Sequence, residues 1–214
     1  MINAQPAESL SRFLFRLILM NSQLDPRALV DELLCGDDDR AEQAAMALSK
    51  LGQAALDVLK PLCADDQPDH RWWAARTLSQ VRLAAAHQAL IELLADPDAD
   101  VRACAAFALG EAQVETAVDK LIALLDDSSV FVSATASEAL AHIGHASVPQ
   151  LIDRLKRGGP LARARAAKAL ASILDSRSIP ALIAALDDES PVVEHYASEA
   201  LTRLGVGTIL IKPT

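Results

Sequence analysis

Aromatic side chains are scarce in this sequence: four Phe, two Trp and one Tyr among 214 residues. Glycine (8) and proline (10) are also few, and the apolar residues are mostly Ala and Leu, strong helix formers and weak strand formers. Sandwiches, barrels and collagen-like chains are thereby excluded. The three cysteines, at 35, 63 and 104, are odd in number and far apart. They offer neither a disulfide framework nor a zinc spacing, and read as reduced thiols of a cytoplasmic protein. Positive charge is in deficit, with 20 Lys and Arg against 29 Asp and Glu. Phosphate neutralisation needs a basic surface, so nucleic acid is not an expected partner. No apolar run reaches the roughly 20 residues of a membrane span. The longest candidate, Phe13 to Met20, is interrupted by Arg16, and no small-residue cleavage site follows it, so a signal peptide is not expected either.

What the sequence does have is a repeat. Ala-x-x-x-Leu recurs at Ala44/Leu48, Ala74/Leu78, Ala105/Leu109, Ala136/Leu140, Ala166/Leu170 and Ala197/Leu201. Successive Leu positions are separated by 30, 31, 31, 30 and 31 residues. The residue before each Leu is small, and the residue three beyond it is apolar: Leu51, Val81, Ala112, Ile143, Ile173 and Leu204. Spacings of three and four mark one face of a helix, and small residues on that face let a neighbouring helix approach closely. Asp96-Pro97 and Ser190-Pro191 read as helix starts, a capping side chain before a proline. Gly52, Gly144 and Gly205 read as helix stops.

Between these helices lie shorter apolar patterns, such as Leu90/Ile91/Leu94 and Leu151/Ile152/Leu155, each predicting a first helix of roughly ten to twelve residues. Asp-rich turns follow them, at 37–39, 65–66, 126–127 and 187–188. One such hairpin cannot cover its own apolar face, whereas a stack can. The expected fold is all-α: a right-handed α-α superhelix of about six two-helix repeats of 30–31 residues, spanning residues 25–205.

Asp98-Ala99-Asp100-Val101-Arg102 followed by Ala105-Ala106-Phe107-Ala108-Leu109-Gly110 resembles the short HEAT-like repeat, the variety also called the phycobilisome-lyase HEAT-like repeat. The resemblance implies that Arg102, with Arg71 and Arg163 in the same register, bridges neighbouring units. Ala41, Ser133 and Glu194 hold that register elsewhere, so the ladder is incomplete. Outside the repeats, residues 1–24 carry an amphipathic helix, with Arg12 and Arg16 opposite Leu10, Phe13, Leu14 and Leu17. It reads as a cap on the first unit, with a membrane-surface or partner-docking helix as the alternative. Residues 206–214 read as a short tail, extended over Thr208 to Ile211.

A solenoid presents a concave face lined by its second helices. Relative to each repeat Leu, positions −6, −5, −2 and +2 are expected there, because the remaining positions form the buried face. Those rows contain Trp72, Trp73, Phe107 and Tyr196, most of the aromatics in the chain, along with Arg76, His142, Arg165, Lys168, His195 and Arg203. Aromatics and arginines on one face are what binding hot spots are made of. One of the two adjacent Trp could instead turn into the core between units. Arg165 and Lys168 sit in a unit rich in basic residues and offer a place for an anionic group, or else form a solvated face.

Catalytic constellations are missing. There is no phosphate-binding glycine loop and no serine nucleophile elbow. None of the five His precedes a Glu, which is the pair that HEAT-like deoxyhypusine hydroxylases use to hold iron, and HEAT-like DNA glycosylases need a basic concave face. No metal or cofactor is expected. Two functional readings stand. The first is a non-catalytic module holding a protein or peptide in the groove. The second follows from resemblance to the E/F-type phycocyanobilin lyase subunits. It implies a bilin or bilin-protein in the groove, with rings stacked on aromatics and propionates on Arg165 and Lys168.

Overall fold

A computed structural model describes residues 25–206. The helix expected over 1–24, and the tail over 206–214 apart from Val206, lie outside the described residues. Within them, twelve α-helices form six successive hairpins. The first helices are α1 (Pro26–Leu33), α3 (Gln53–Leu62), α5 (Ala84–Leu93), α7 (Val118–Ala123), α9 (Val148–Arg157) and α11 (Ile179–Ala184). The second helices are α2 (Asp38–Leu48), α4 (Pro68–Leu78), α6 (Ala99–Glu111), α8 (Val130–Ile143), α10 (Pro160–Ile173) and α12 (Pro191–Arg203). Each second helix packs on the second helix of the following unit, giving an α-solenoid with one continuous core.

The Ala-x-x-x-Leu repeat is the spine of that core. All six Ala and all six Leu are at most 1% exposed. The apolar position three residues further on is less uniform: Val81 and Ile143 are buried, whereas Ala112 is exposed, because the helix ends there. Gly110 shows why small residues are needed. A Cβ added to it would lie 2.5 Å from the Ala139 Cα, so α6 and α8 approach as closely as two backbones can. Gly52, Gly144 and Gly205 end their units with φ of +56°, +77° and +80°, as a helix stop requires. Leu174 holds the equivalent position at φ +57° without glycine's freedom.

Two local expectations are corrected. Asp96-Pro97 does not start a helix: α6 begins at Ala99, with Asp98 as the N-cap accepting from the Asp100 and Val101 N–H groups. Asp96 is held instead by Arg71 of the preceding unit. The first helices are also less regular than ten to twelve residues of α-helix. In α7 and α11 only six residues are α-helical, flanked by 3-10 turns at Glu115–Ala117, Leu124–Asp126, Ser176–Ser178 and Ala185–Asp187.

The arginine register forms the expected ladder. Arg71 donates through Nε and Nη2 to Asp96 at 2.7 and 2.8 Å, Arg102 likewise to Asp127 at 2.9 and 2.8 Å, and Arg163 to Asp188 at 2.8 and 3.0 Å. The remaining nitrogen of each guanidinium bonds a backbone carbonyl at the start of its own helix: Asp65, Asp96 and Gly158. Each of these Asp residues also accepts the N–H two residues on, from Asp98, Ser129 and Ser190. One arginine thus fixes two consecutive turns. The rung is missing at Ser133, whose hydroxyl turns back to the Val130 carbonyl. There Arg154 reaches Asp126 at 2.6 Å across the same junction.

Candidate functional site

The second helices of units two, three and four enclose a groove of about 790 Å³. Trp72 on α4, Phe107 on α6 and Phe131 on α8 line it, one ring from each unit. Phe107 is 59% and Phe131 63% exposed, so among the described residues nothing covers them. Ala103, Cys104 and Ala108 form small apolar floor positions between the rings. Asp69, Asp98 and Asp100, at the N-terminal ends of α4 and α6, supply the rim on one side, and Glu138 lies on the other.

Phe131 was missed by the row assignment, which placed the groove at −6, −5, −2 and +2. It lies nine residues before Leu140, in the first turn of α8. A Phe two residues after a serine N-cap (Ser129) was the available signal, though it marks the helix start and not the exposure. The two tryptophans diverge. Their rings meet edge to face with centres 5.0 Å apart. Trp72 faces both the groove and a second cleft between units one and two, whereas Trp73 lines only the latter, beside Leu33, Leu34 and Glu42. Both also pack partly against the core.

The basic and histidine residues expected on this face are there, but mostly engaged. Arg76 pairs with Glu42 at 2.8 Å, Lys168 with Glu138 at 3.0 Å, and His142 Nδ1 lies 2.7 Å from Glu111. Each contact joins neighbouring units. Arg165 donates to the Val130 carbonyl at 3.4 Å, and Arg203 to the Ala171 carbonyl at 2.8 Å. His195 and Tyr196 sit two units beyond the groove on α12, in contact with ring centres 5.4 Å apart and planes tilted by 59°. Of the ten expected residues, Trp72, Arg76 and Phe107 line the groove, Trp73 lines the adjoining cleft, and the other six line neither.

Burial pushes the Cys104 thiol up to about 11, with Arg76 opposing, so it stays protonated near neutral pH. Cys63, outside the groove, is pushed up to about 11 by burial as well. Among the described residues no group of three or more His, Cys, Asp or Glu is placed to hold a metal ion, and no helix is long and apolar enough to cross a membrane. The most polarised cluster is on the opposite end of the helices. There Asp175 accepts from the Arg177 side chain and N–H, and His145 Nδ1 lies 2.6 Å from it. Arg177 and then His145 hold its carboxyl far below the usual range, against the effect of burial.

Stacked helical hairpins with an open groove on the second helices define a repeat-type α-solenoid protein. The chain belongs to the HEAT-repeat family, whose model matches residues 26–103, 87–158 and 148–208. Among solved structures it is similar to the Escherichia coli protein YibA, at 20% identity and a TM-score of 0.58, over 95% of this chain and 78% of that one. It is similar to an engineered protein at 25% identity and a TM-score of 0.51, over 84% and 98%. It also resembles the complex of CpcE and CpcF of phycocyanin lyase from Nostoc sp. PCC7120, at 24% identity and a TM-score of 0.52, over 96% and 82%. These likenesses show the fold. No curated protein matches the chain.

Proposed function

We propose that this protein is a non-catalytic binding module that holds a segment of a partner protein in the groove between α4, α6 and α8. The observation that carries the reading is the row of three aromatic rings, one per unit, exposed in a single groove of about 790 Å³. Large apolar rings left in water cost free energy, which a partner recovers by covering them. The protonated Cys104 thiol and the engaged cations argue for binding rather than catalysis.

The test uses a random peptide library displayed on phage and selected on the full chain. Selected peptides are then synthesised and measured against variants. Phe107→Ala with Phe131→Ala removes two exposed rings and leaves the core intact, so the variant folds. Single hot-spot truncations commonly cost about 2 kcal/mol, roughly thirtyfold in affinity. Glu92→Ala and Asp119→Ala on the first helices leave binding unchanged. Selected peptides that bind the double variant as well as wild type overturn the reading.

The bilin alternative requires free cations for two propionates. Lys168 is paired with Glu138, Arg165 leans on the Val130 carbonyl, and the groove rim is carboxylate. These observations favour a protein occupant. Quenching of tryptophan fluorescence by a free bilin, weakened by Arg165→Glu with Lys168→Glu, would reverse that preference.

A further inference from the structure

Resting on the groove reading, we infer that the bound segment is basic, with an Arg side chain lying on the rings of Trp72, Phe107 and Phe131 and its guanidinium at the carboxylates of Asp69, Asp98 and Asp100.

The charge inventory of the groove carries the argument. Arg76, its one lining cation, is neutralised by Glu42, and Glu138 is neutralised by Lys168. Asp69, Asp98 and Asp100 remain. Neither Asp69 nor Asp100 has an ion-pair partner among the described residues, and both are exposed. Asp98 Oδ1 accepts two backbone N–H groups as an N-cap, and its charge is partly offset by the nearby guanidiniums of Arg71 and Arg102. The N-termini of α4 and α6 each contribute about half a positive charge. Asp69 and Asp100 against roughly one positive charge leave the rim about one charge negative, before any remainder from Asp98. The surroundings reinforce this, because residues 61–128 carry a net charge of −7.

The apolar side of the groove points to the same ligand. Ring faces attract cations, and a guanidinium stacks on them while its donors remain free for carboxylates. An acidic segment would meet the negative rim and find both Arg76 and Lys168 already paired. A purely apolar segment would cover the rings but strand three carboxylates at its edge, where they gain nothing.

The test measures fluorescence polarisation of four labelled peptides of about ten residues, alternating Leu with Arg, Lys, Ser or Glu, against the full chain at low and high salt. The expected order is Arg, then Lys, then Ser, then Glu, with the Arg peptide at least about tenfold tighter than the Ser peptide and weakened by salt. Asp69→Asn with Asp100→Asn lowers the affinity for the Arg peptide about tenfold and leaves the Ser peptide unchanged. Glu92→Gln with Glu115→Gln removes the same charge elsewhere and changes neither. Equal losses in the two charge variants overturn the inference, because attraction would then come from the whole molecule. Ser or Glu peptides that bind as tightly as Arg, yet are lost with Phe107→Ala and Phe131→Ala, overturn the basic preference and keep the groove. If the aromatic variant binds every peptide like wild type, the groove reading itself is overturned.

Discussion

At the scale of single residues, the arginine rungs link one unit to the next through nearly buried charge. Arg102 and Asp127 side chains are 13% and 8% exposed, so removing one partner leaves the other charge desolvated and unpaired. Asp127→Ala is therefore expected to destabilise the fold by about 2 kcal/mol or more, and more than Asp153→Ala, whose surface pair with Arg157 is solvated. Urea titrations with unchanged slope check this. The same rungs set the response to acid. Burial raises the Asp127 and Asp188 carboxyls, but the hydrogen bonds from Arg102 and Arg163 and from the Ser129 and Ser190 N–H groups outweigh it, so both end below the ordinary value. Asp175 is depressed further. A carboxyl depressed in the folded state contributes its stability fully above the unfolded value of about 4, and loses it as pH falls through the folded value. The melting temperature is expected to be flat from neutral pH down to about 5 and to fall steeply below 4, less steeply in Asp175→Asn. A melting temperature independent of pH down to 3 would contradict the assignment of these rungs.

At the scale of elements, close approach between second helices decides what each position tolerates. Gly110 lies inside α6, where replacing glycine with alanine ordinarily gains about 1 kcal/mol of helix propensity. Here the new Cβ would meet the Ala139 Cα at 2.5 Å and its Cβ at 2.7 Å, and overpacking against backbone costs about 1–3 kcal/mol. Gly110→Ala is thus expected to destabilise. Adding Ala139→Gly rescues only part of the loss, because the backbone of α8 still crowds the new methyl group. The second helices were legible in the sequence because burial there is set by one helix's own period, as the fully buried Ala44 to Leu201 series shows. The pairings on their open face were not. Arg76 to Glu42 joins positions −2 and −6, Lys168 to Glu138 joins −2 and −2, and His142 to Glu111 joins +2 and +2. Those offsets depend on the lateral shift between neighbouring helices, which no single helix encodes. Phe131 escaped for a related reason. Its exposure follows from where α8 starts relative to α6, not from the period of α8. The first helices were legible as apolar patterns, but their 3-10 ends were not, since the same Leu and Ile spacing suits both geometries.

At the scale of the whole molecule, stability is a sum over units and their nearest-neighbour interfaces, so an internal unit is removable if its flanks are equivalent. Residues 97–127 are such a unit. Asp96 and Asp127 each stand thirteen residues before a repeat Leu, each accepts a bidentate arginine from the preceding unit, and each accepts the N–H two residues on. Joining Asp96 to Ser128 therefore recreates the same turn, with Arg71 still on Asp96 and Ser129 free to cap α8. The shortened chain is expected to fold cooperatively, with helicity per residue unchanged and a smaller denaturant slope in proportion to the lost surface. It loses the close packing of Gly110 on Ala139 and places α4 against α8, two faces that each pack on α6 in the full chain. It also loses Phe107, Asp98 and Asp100 from the centre of the groove, so it is expected to fold yet fail to bind the arginine peptide. Circular dichroism with urea titration reads the first outcome and fluorescence polarisation the second. Loss of cooperative folding would show that the unit boundaries are misplaced, whereas a folded deletion that still binds would move the binding surface away from α6.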